Sequence, residues 1–234
     1  MAQAPEQGGT GWIGRALRLA RMAAVVALLT LVALMVLWRF APPVSTLMLA
    51  RYATARPVVR DYVPLARISP SLIASVVVSE DAKFCRHSGV DWQALGEVLD
   101  DADEDGPARG ASTITMQVVK NLFLWPSRSA IRKGVEIPLA LALDLVWPKH
   151  RILEVYLNVA EWGPNGIFGA EAAARADFGR SAAALTPGQA ALMAVALPNP
   201  LLRRPARPTA LQARLARRLS GRAAGAEPWL DCLK

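Results

Sequence analysis

The sequence predicts a mainly α-helical domain preceded by one membrane-spanning helix. Three observations carry that reading. Met22–Trp38, MAAVVALLTLVALMVLW, contains no charge, no glycine and no proline. From Ser69 to Ala196, apolar residues recur at helical spacing between recognisable caps. No stretch shows a convincing strand alternation. A chain of 234 residues is long enough for one domain with a sizeable core plus an anchor.

The apolar run, extended to its aromatic flanks Trp12 and Phe40, is long enough to cross a hydrocarbon layer, which takes about 20 apolar residues. A cleaved signal peptide is the competing reading. Its apolar core is ordinarily about 7–15 residues, shorter than this one, and the Arg39-Phe40-Ala41-Pro42-Pro43 that follows offers no small-residue cleavage site. The run has no polar face, which argues against a buried helix of a soluble domain. Arg15, Arg18 and Arg21 precede the span and Arg39 follows it. The positive-inside rule therefore keeps the N-terminus in the cytoplasm and places everything after about residue 41 outside.

Hydrophobic residues make up 53% of the chain, and the net charge is +8. A basic balance admits nucleic acid, anionic lipid or phosphorylated substrates. An anchored, external domain excludes nucleic acid and leaves lipid headgroups or a diphosphate. The two histidines, His87 and His150, and the two cysteines, Cys85 and Cys232, have no metal-ligand spacing. An oxidising exterior permits Cys85 and Cys232 to pair, but the sequence does not decide whether they do.

Residues 1–21 read as a cytoplasmic tail, 22–40 as the anchor, 41–67 as a proline-containing linker or juxtamembrane segment, 68–205 as the main domain, and 206–234 as a basic C-terminal helix and tail. Ser69-Pro70 opens a helix, with serine as cap and proline in the first turn, running through Leu72–Val78 to Glu80. Asp91–Leu99 is a short second helix. Asp100–Gly106, DDADEDG, is an acidic loop without the full spacing of a calcium site. Ser112 or Thr113 caps a helix through Phe123. Ser127 or Ser129 opens a longer one towards Trp147, which Pro138 should kink or split. Lys149–Val159 is amphipathic, with Ile152, Tyr156 and Val159 on one face. Gly163–Gly169 is a loop, and Ala170–Phe178 is a helix closed by Gly179. Thr186-Pro187-Gly188-Gln189 is a capping box opening a helix to Ala196, and Thr209–Ala223 is a basic terminal helix.

Four blocks carry chemistry. Glu80–Gly89, EDAKFCRHSG, puts a carboxylate at the edge of an apolar helix, where burial can raise its pKa towards neutrality. By itself this also describes a surface carboxylate closing a helix. Gly110–Asn121, GASTITMQVVKN, clusters Ser112, Thr113 and Thr115 at a helix start, a place suited to an anion. Lys120 lies on the side of Thr113. A well-capped amphipathic helix would explain Ser112 but not the whole string. In RSAIRKGVE, Arg128, Arg132 and Glu136 are spaced by four and stack on one helical face; an exposed ion-pair ladder looks the same. Lys149–Asn158, KHRILEVYLN, completes the set.

In this order and at these spacings, over roughly Ile68 to Pro200, the blocks closely resemble the peptidoglycan glycosyltransferases of family 51, which polymerise cell-wall glycan from lipid II. The resemblance implies a lysozyme-like helical domain with a membrane-facing lobe. It implies that Glu80 is the general base, taking a proton from the 4-hydroxyl of the incoming N-acetylglucosamine, with Asp81, Phe84 and His87 in support. That hydroxyl attacks C1 of N-acetylmuramic acid and inverts an α-linked lipid diphosphate to a β-1,4 bond. Ser112, Thr113, Gln117, Lys120, Asn121, Arg128, Arg132 and Lys133 are implied to bind the sugar diphosphate and its departing charge. Glu136 is the second essential carboxylate, orienting these cations or helping to hold a divalent ion, Mg or Mn. Tyr156, Asn158 and Gly169 shape the cleft. Met116 stands where the family has a first glutamine, Asp177 where it commonly has tyrosine, and Gln189 where it commonly has glutamate.

Neither SxxK nor KTG occurs, so the expectation is a monofunctional enzyme without a transpeptidase. The partners implied are lipid II, the growing glycan strand and the bilayer of a bacterial cytoplasmic membrane; further partners among wall-synthesis or division proteins stay open. A glycan-cleaving enzyme of lysozyme-like fold is one rival. It needs a general acid but no diphosphate-binding cations, and the cluster Lys120, Arg128, Arg132, Lys133 argues against it. A non-catalytic scaffold is the other, and it has no need of both Glu80 and Glu136.

Overall fold

The computed structural model describes residues 11–100, 111–125, 127 and 129–234. The chain forms two compact units that meet at Ala41 and Pro42. Among its described residues, the first unit contains one helix, α1 (Gly11–Trp38). Its span Trp12–Trp38 has a mean hydropathy of 2.4, and at 1.5 Å per residue it reaches about 40 Å, enough for a bilayer core.

The second unit holds the helices α2 (Thr46–Ala53), α3 (Pro70–Glu80), α4 (Trp92–Asp100), α5 (Ile114–Phe123), α6 (Ala130–Val146), α7 (Lys149–Val159), α8 (Ala170–Phe178), α9 (Pro187–Ala196) and α10 (Ala210–Ala224). Their caps are legible chemistry. Ser69 accepts the Leu72 N–H, and Thr113 and Ser129 cap α5 and α6. Thr186 with Gln189 and Thr209 with Gln212 form capping boxes. Ser127 is not the α6 cap; its hydroxyl accepts the Ser129 N–H.

Two helical layers share the core. In one, α3 packs on α9 and α10, and Leu72, Val76 and Val77 of α3 and Ala190, Ala191 and Ala194 of α9 are all fully buried. In the other, α5 packs on α6 and α7 through Val118, Val119, Leu143, Ile152 and Leu153.

The structure departs from the sequence reading in several places. Residues 41–67 are not an extended linker. Ser45 caps α2, Met48 is wholly buried, and Thr46 Oγ1 donates to the last carbonyls of α5, Leu124 O at 2.8 Å and Asn121 O at 3.2 Å. Helix α10, placed outside the main domain by the reading, is packed into its core. Helix α6 runs through Pro138 unbroken. Proline clashes with the carbonyl four residues back; that carbonyl belongs to Gly134, and both residues are exposed.

The loop expected at Gly163–Gly169 contains a hairpin. Strands β1 (Val59–Arg60), β2 (Glu161–Gly163) and β3 (Ile167–Phe168) form a small sheet in the order β1-β3-β2. β1 runs parallel to β3, Val59 opposite Ile167; β2 runs antiparallel to it, Glu161 opposite Phe168. Asn165 and Gly166 both take positive φ, 64° and 77°, the combination that turns tight hairpins. A Cβ on Gly166 would lie 2.1 Å from Pro57 O, so only glycine lets the lead-in to β1 pass. Strands of two or three residues are too short for an alternation to register.

Cys85 and Cys232 form a disulfide, with Cα atoms 5.5 Å apart across 147 residues of sequence. It ties the C-terminal turn at Asp231–Leu233, which packs on α7, to the turn Phe84–Arg86 that follows α3.

Candidate active site

Glu80 closes α3 and is partly exposed. Its Oε2 accepts a hydrogen bond from Gln117 Nε2 of α5 at 3.0 Å, and Gln117 Oε1 accepts one from the Tyr156 hydroxyl of α7 at 3.1 Å. Burial raises the Glu80 pKa above the usual carboxylate value; the Gln117 bond and the charges of Lys120 and Arg203 work against it, while Asp81 adds to it. A carboxyl so placed is suited to proton transfer closer to neutral pH than a free glutamate.

Asp81, its neighbour, has a different task. Its Oδ2 accepts the Ile114 N–H at 3.0 Å, and His87 Nε2 lies 2.9 Å and 3.1 Å from its two oxygens. The positive end of α5, expected to receive a substrate anion, is therefore occupied by the protein's own carboxylate. The hydroxyls expected at the substrate are also engaged. Thr113 Oγ1 donates to Gly89 O at 2.6 Å and accepts the Met116 N–H. Ser112 Oγ accepts from Lys133 Nζ at 2.7 Å. Thr113 is buried and structural, and so is Thr115, wholly buried beside Asp144.

The cations gather between α5 and α6. Glu136 is buried; Arg132 Nη1 pairs with its Oε2, and Lys133 Nζ lies 3.7 Å from its Oε1. Burial lowers the pKa of Lys120, with Glu136 and Glu80 opposing that and Arg132 reinforcing it. Lys133 is lowered in the same way, by burial first, against Glu136. Three cations thus crowd around one carboxylate, a surplus that a diphosphate would balance. Each oxygen of Glu136 faces a cation, and the described residues contain no group of three metal-binding side chains. This donor set does not fit a protein-held divalent ion. Arg128 lies outside the described residues, as does most of the acidic loop after Asp100.

A cleft of about 550 Å³ runs along these groups, lined by Gln117, Lys120, Asn121, Arg132 and Tyr156 together with residues the sequence reading did not single out. Thr46 and Leu47 enter from α2, Glu161 from β2, and Pro198 and Pro200 from the segment after α9. Glu161 is held by Arg51 at 2.9 Å. Arg203, close enough to Glu80 to act on its charge, donates to Val195 O at 2.7 Å. The proline run 198–208 was the only signal for this wall, and it reads simply as a break.

The remaining expected residues brace the site. Phe84 is wholly buried, with the Lys149 ammonium 4.7 Å from its ring centroid. Lys149 also donates to His87 O and Asp144 Oδ1, each at 2.7 Å. Asn158 does not line the cleft. Its Oδ1 accepts the Val63 N–H, and its Nδ2 donates to Val63 O and Glu154 O, at 2.8–2.9 Å.

The family model described as Transglycosylase matches residues 47–222. The biosynthetic peptidoglycan transglycosylase of Brucella suis biovar 1 (strain 1330) is 59% identical over 195 residues, covering 83% of this chain and 87% of that one. The protein of the same name from Nitrobacter winogradskyi is 53% identical over 213 residues, covering 91% and 94%. The chain belongs to the transglycosylase family. The transglycosylase match starts inside α2 and ends inside α10, so it takes in the segments on both sides of 68–205. The single apolar helix before it fits a single-pass membrane anchor.

Proposed function

We propose that this transglycosylase polymerises lipid II into β-1,4-linked glycan, releasing polyprenyl diphosphate, on the outer face of the bacterial cytoplasmic membrane. The observation that carries the reading is one cleft lined both by Gln117, the hydrogen-bond partner of Glu80, and by Lys120 and Arg132 of the cation cluster around Glu136. Glu80 takes the proton of the acceptor 4-hydroxyl as that oxygen attacks the anomeric carbon of the donor. The diphosphate leaves from the opposite face with its electron pair, and Lys120, Arg132 and Lys133 neutralise the charge it gains. One displacement inverts the centre without a covalent intermediate.

The exposed apolar residues of α6 support a lipid-linked substrate. Ile131, Val135, Leu141 and Leu145 follow one another along the helix, with Leu145 88% exposed. Such a stripe suits a bilayer or a polyprenyl chain better than water. A glycan-cleaving enzyme has no use for the cation cluster.

The test is labelled lipid II with detergent-solubilised protein, wild type and Glu80→Gln. Glycan ladders from the wild type alone are expected. Equal ladders from both would remove Glu80 from the chemistry, and cleavage of preformed glycan without synthesis would overturn the polymerase.

A further inference from the structure

The base, Gln117 and Tyr156 form a line of three side chains from three helices. Gln117 donates its amide to Glu80 at 3.0 Å and accepts the Tyr156 hydroxyl at 3.1 Å. Tyr156 is 1% exposed, on α7 at the back of the cleft, whereas Gln117 and Glu80 are both partly exposed.

An amide side chain has two faces of similar shape and opposite polarity. Turned one way, Gln117 gives Glu80 a donor. Turned the other, it sets a carbonyl oxygen against a carboxylate oxygen, and the phenol proton of Tyr156 loses its acceptor. Both groups are satisfied in only one orientation. The phenol enforces it because it remains a donor: burial, and after it the nearby charges of Glu80 and Asp81, raise its pKa well above the usual value.

We infer that Tyr156, acting through Gln117, is a positioning residue that fixes the amide so that its NH2 group faces the base. The consequence is that Glu80 keeps one dedicated donor in a site where burial otherwise favours its protonated form. This rests on the reading of Glu80 as general base. The other charged groups facing Glu80 are Asp81 at the end of α3, Lys120 on α5 and Arg203 after α9; Tyr156→Phe leaves all three side chains in the protein.

The test is the pH profile of kcat/KM for lipid II polymerisation, which reports the free enzyme's ionisations. Tyr156→Phe removes only the hydroxyl, and Gln117→Leu, at a partly exposed position, removes the relay. Tyr156→Phe should move the acid limb up by about half to one pH unit, the size of the one neutral hydrogen bond it removes. Activity on the acid side falls about three- to tenfold, kcat recovers on the alkaline plateau, and KM stays near its wild-type value. Gln117→Leu should shift the limb at least as far. Adding Tyr156→Phe to it should change nothing more, because the hydroxyl acts only through the amide. An unmoved acid limb in Tyr156→Phe would overturn the inference. So would a Tyr156→Phe effect that persists undiminished in the Gln117→Leu background, or one that lowers the alkaline plateau alone, since either is the mark of packing. Full polymerisation by Glu80→Gln would instead remove the base reading beneath it.

Discussion

The Cys85–Cys232 disulfide should be worth a large part of the catalytic unit's stability. The perturbation is Cys232→Ser, or simply reduction. The bridge closes 147 residues of chain, and the loop entropy removed from the unfolded state for that length corresponds to about 5 kcal/mol at 25 °C. At about 2–4 °C per kcal/mol for a unit of this size, reduction should lower the melting temperature by about 10–20 °C. The assay is thermal unfolding of the detergent-solubilised protein by circular dichroism, with and without reductant. Wild type should fall on reduction to the level of Cys232→Ser, and the variant should not respond. The loss should be felt near the base, because Cys85 lies five residues after Glu80 between the buried Phe84 and His87. Amide exchange across residues 81–89 should accelerate on reduction. If wild type and Cys232→Ser melt together in both conditions, and two free thiols titrate in unreduced, unfolded wild type, the bridge and the reasoning from it are wrong.

Three further outcomes follow from the geometry. Asn158→Ala deletes three hydrogen bonds, two buried ones to Val63 and a part-buried one to Glu154; it should cost about 2–4 kcal/mol in denaturant unfolding and leave the pH profile of polymerisation unmoved. Gly89→Ala puts a methyl group 2.6 Å from Ala140 O at a φ of +81°. It should destabilise by more than about 2 kcal/mol, and unaltered melting would show that the turn relaxes freely. Glu136→Gln leaves Arg132, Lys133 and Lys120 without their shared carboxylate and should cost about 2–4 kcal/mol. Inorganic pyrophosphate should recover more melting temperature in that variant than in wild type, and equal stabilisation of both would argue against a diphosphate site there.

The helices were legible because their signals are local. Ser69-Pro70, Thr186 to Gln189 and the 3.6-residue apolar period each need only a few neighbours to be read. The hairpin had a local signal too, Asn165-Gly166, but it was lost among short strands without alternation. What the sequence could not convey was how the caps are spent. Thr113 and Ser112 look like free hydroxyls aimed at a ligand; only the folded chain brings Gly89 O and Lys133 against them. The start of α5 reads as an anion site, and the carboxylate found there is Asp81, from 33 residues away. The wall of the cleft at Pro198 and Pro200 depends wholly on how α9 is followed and has no residue pattern of its own.

The two adjacent carboxylates explain why α5 carries so much of the site. α3 ends at Glu80, and Asp81 takes an extended φ of −162°, so the two side chains diverge. The shorter one docks on the Ile114 N–H; the longer one reaches Gln117, three residues along the same helix. Lys120 follows three residues after that, and three residues of helix rise about 4.5 Å. Helix α5 therefore acts as a ruler. It holds Asp81 at Ile114 and Glu80 at Gln117, and one step further it presents Lys120. A displacement needs its base and its leaving-group charge at a set separation on opposite sides of one carbon. Under the proposed mechanism that separation is set by the rise of a single helix, pinned at its start by the Asp81 carboxylate.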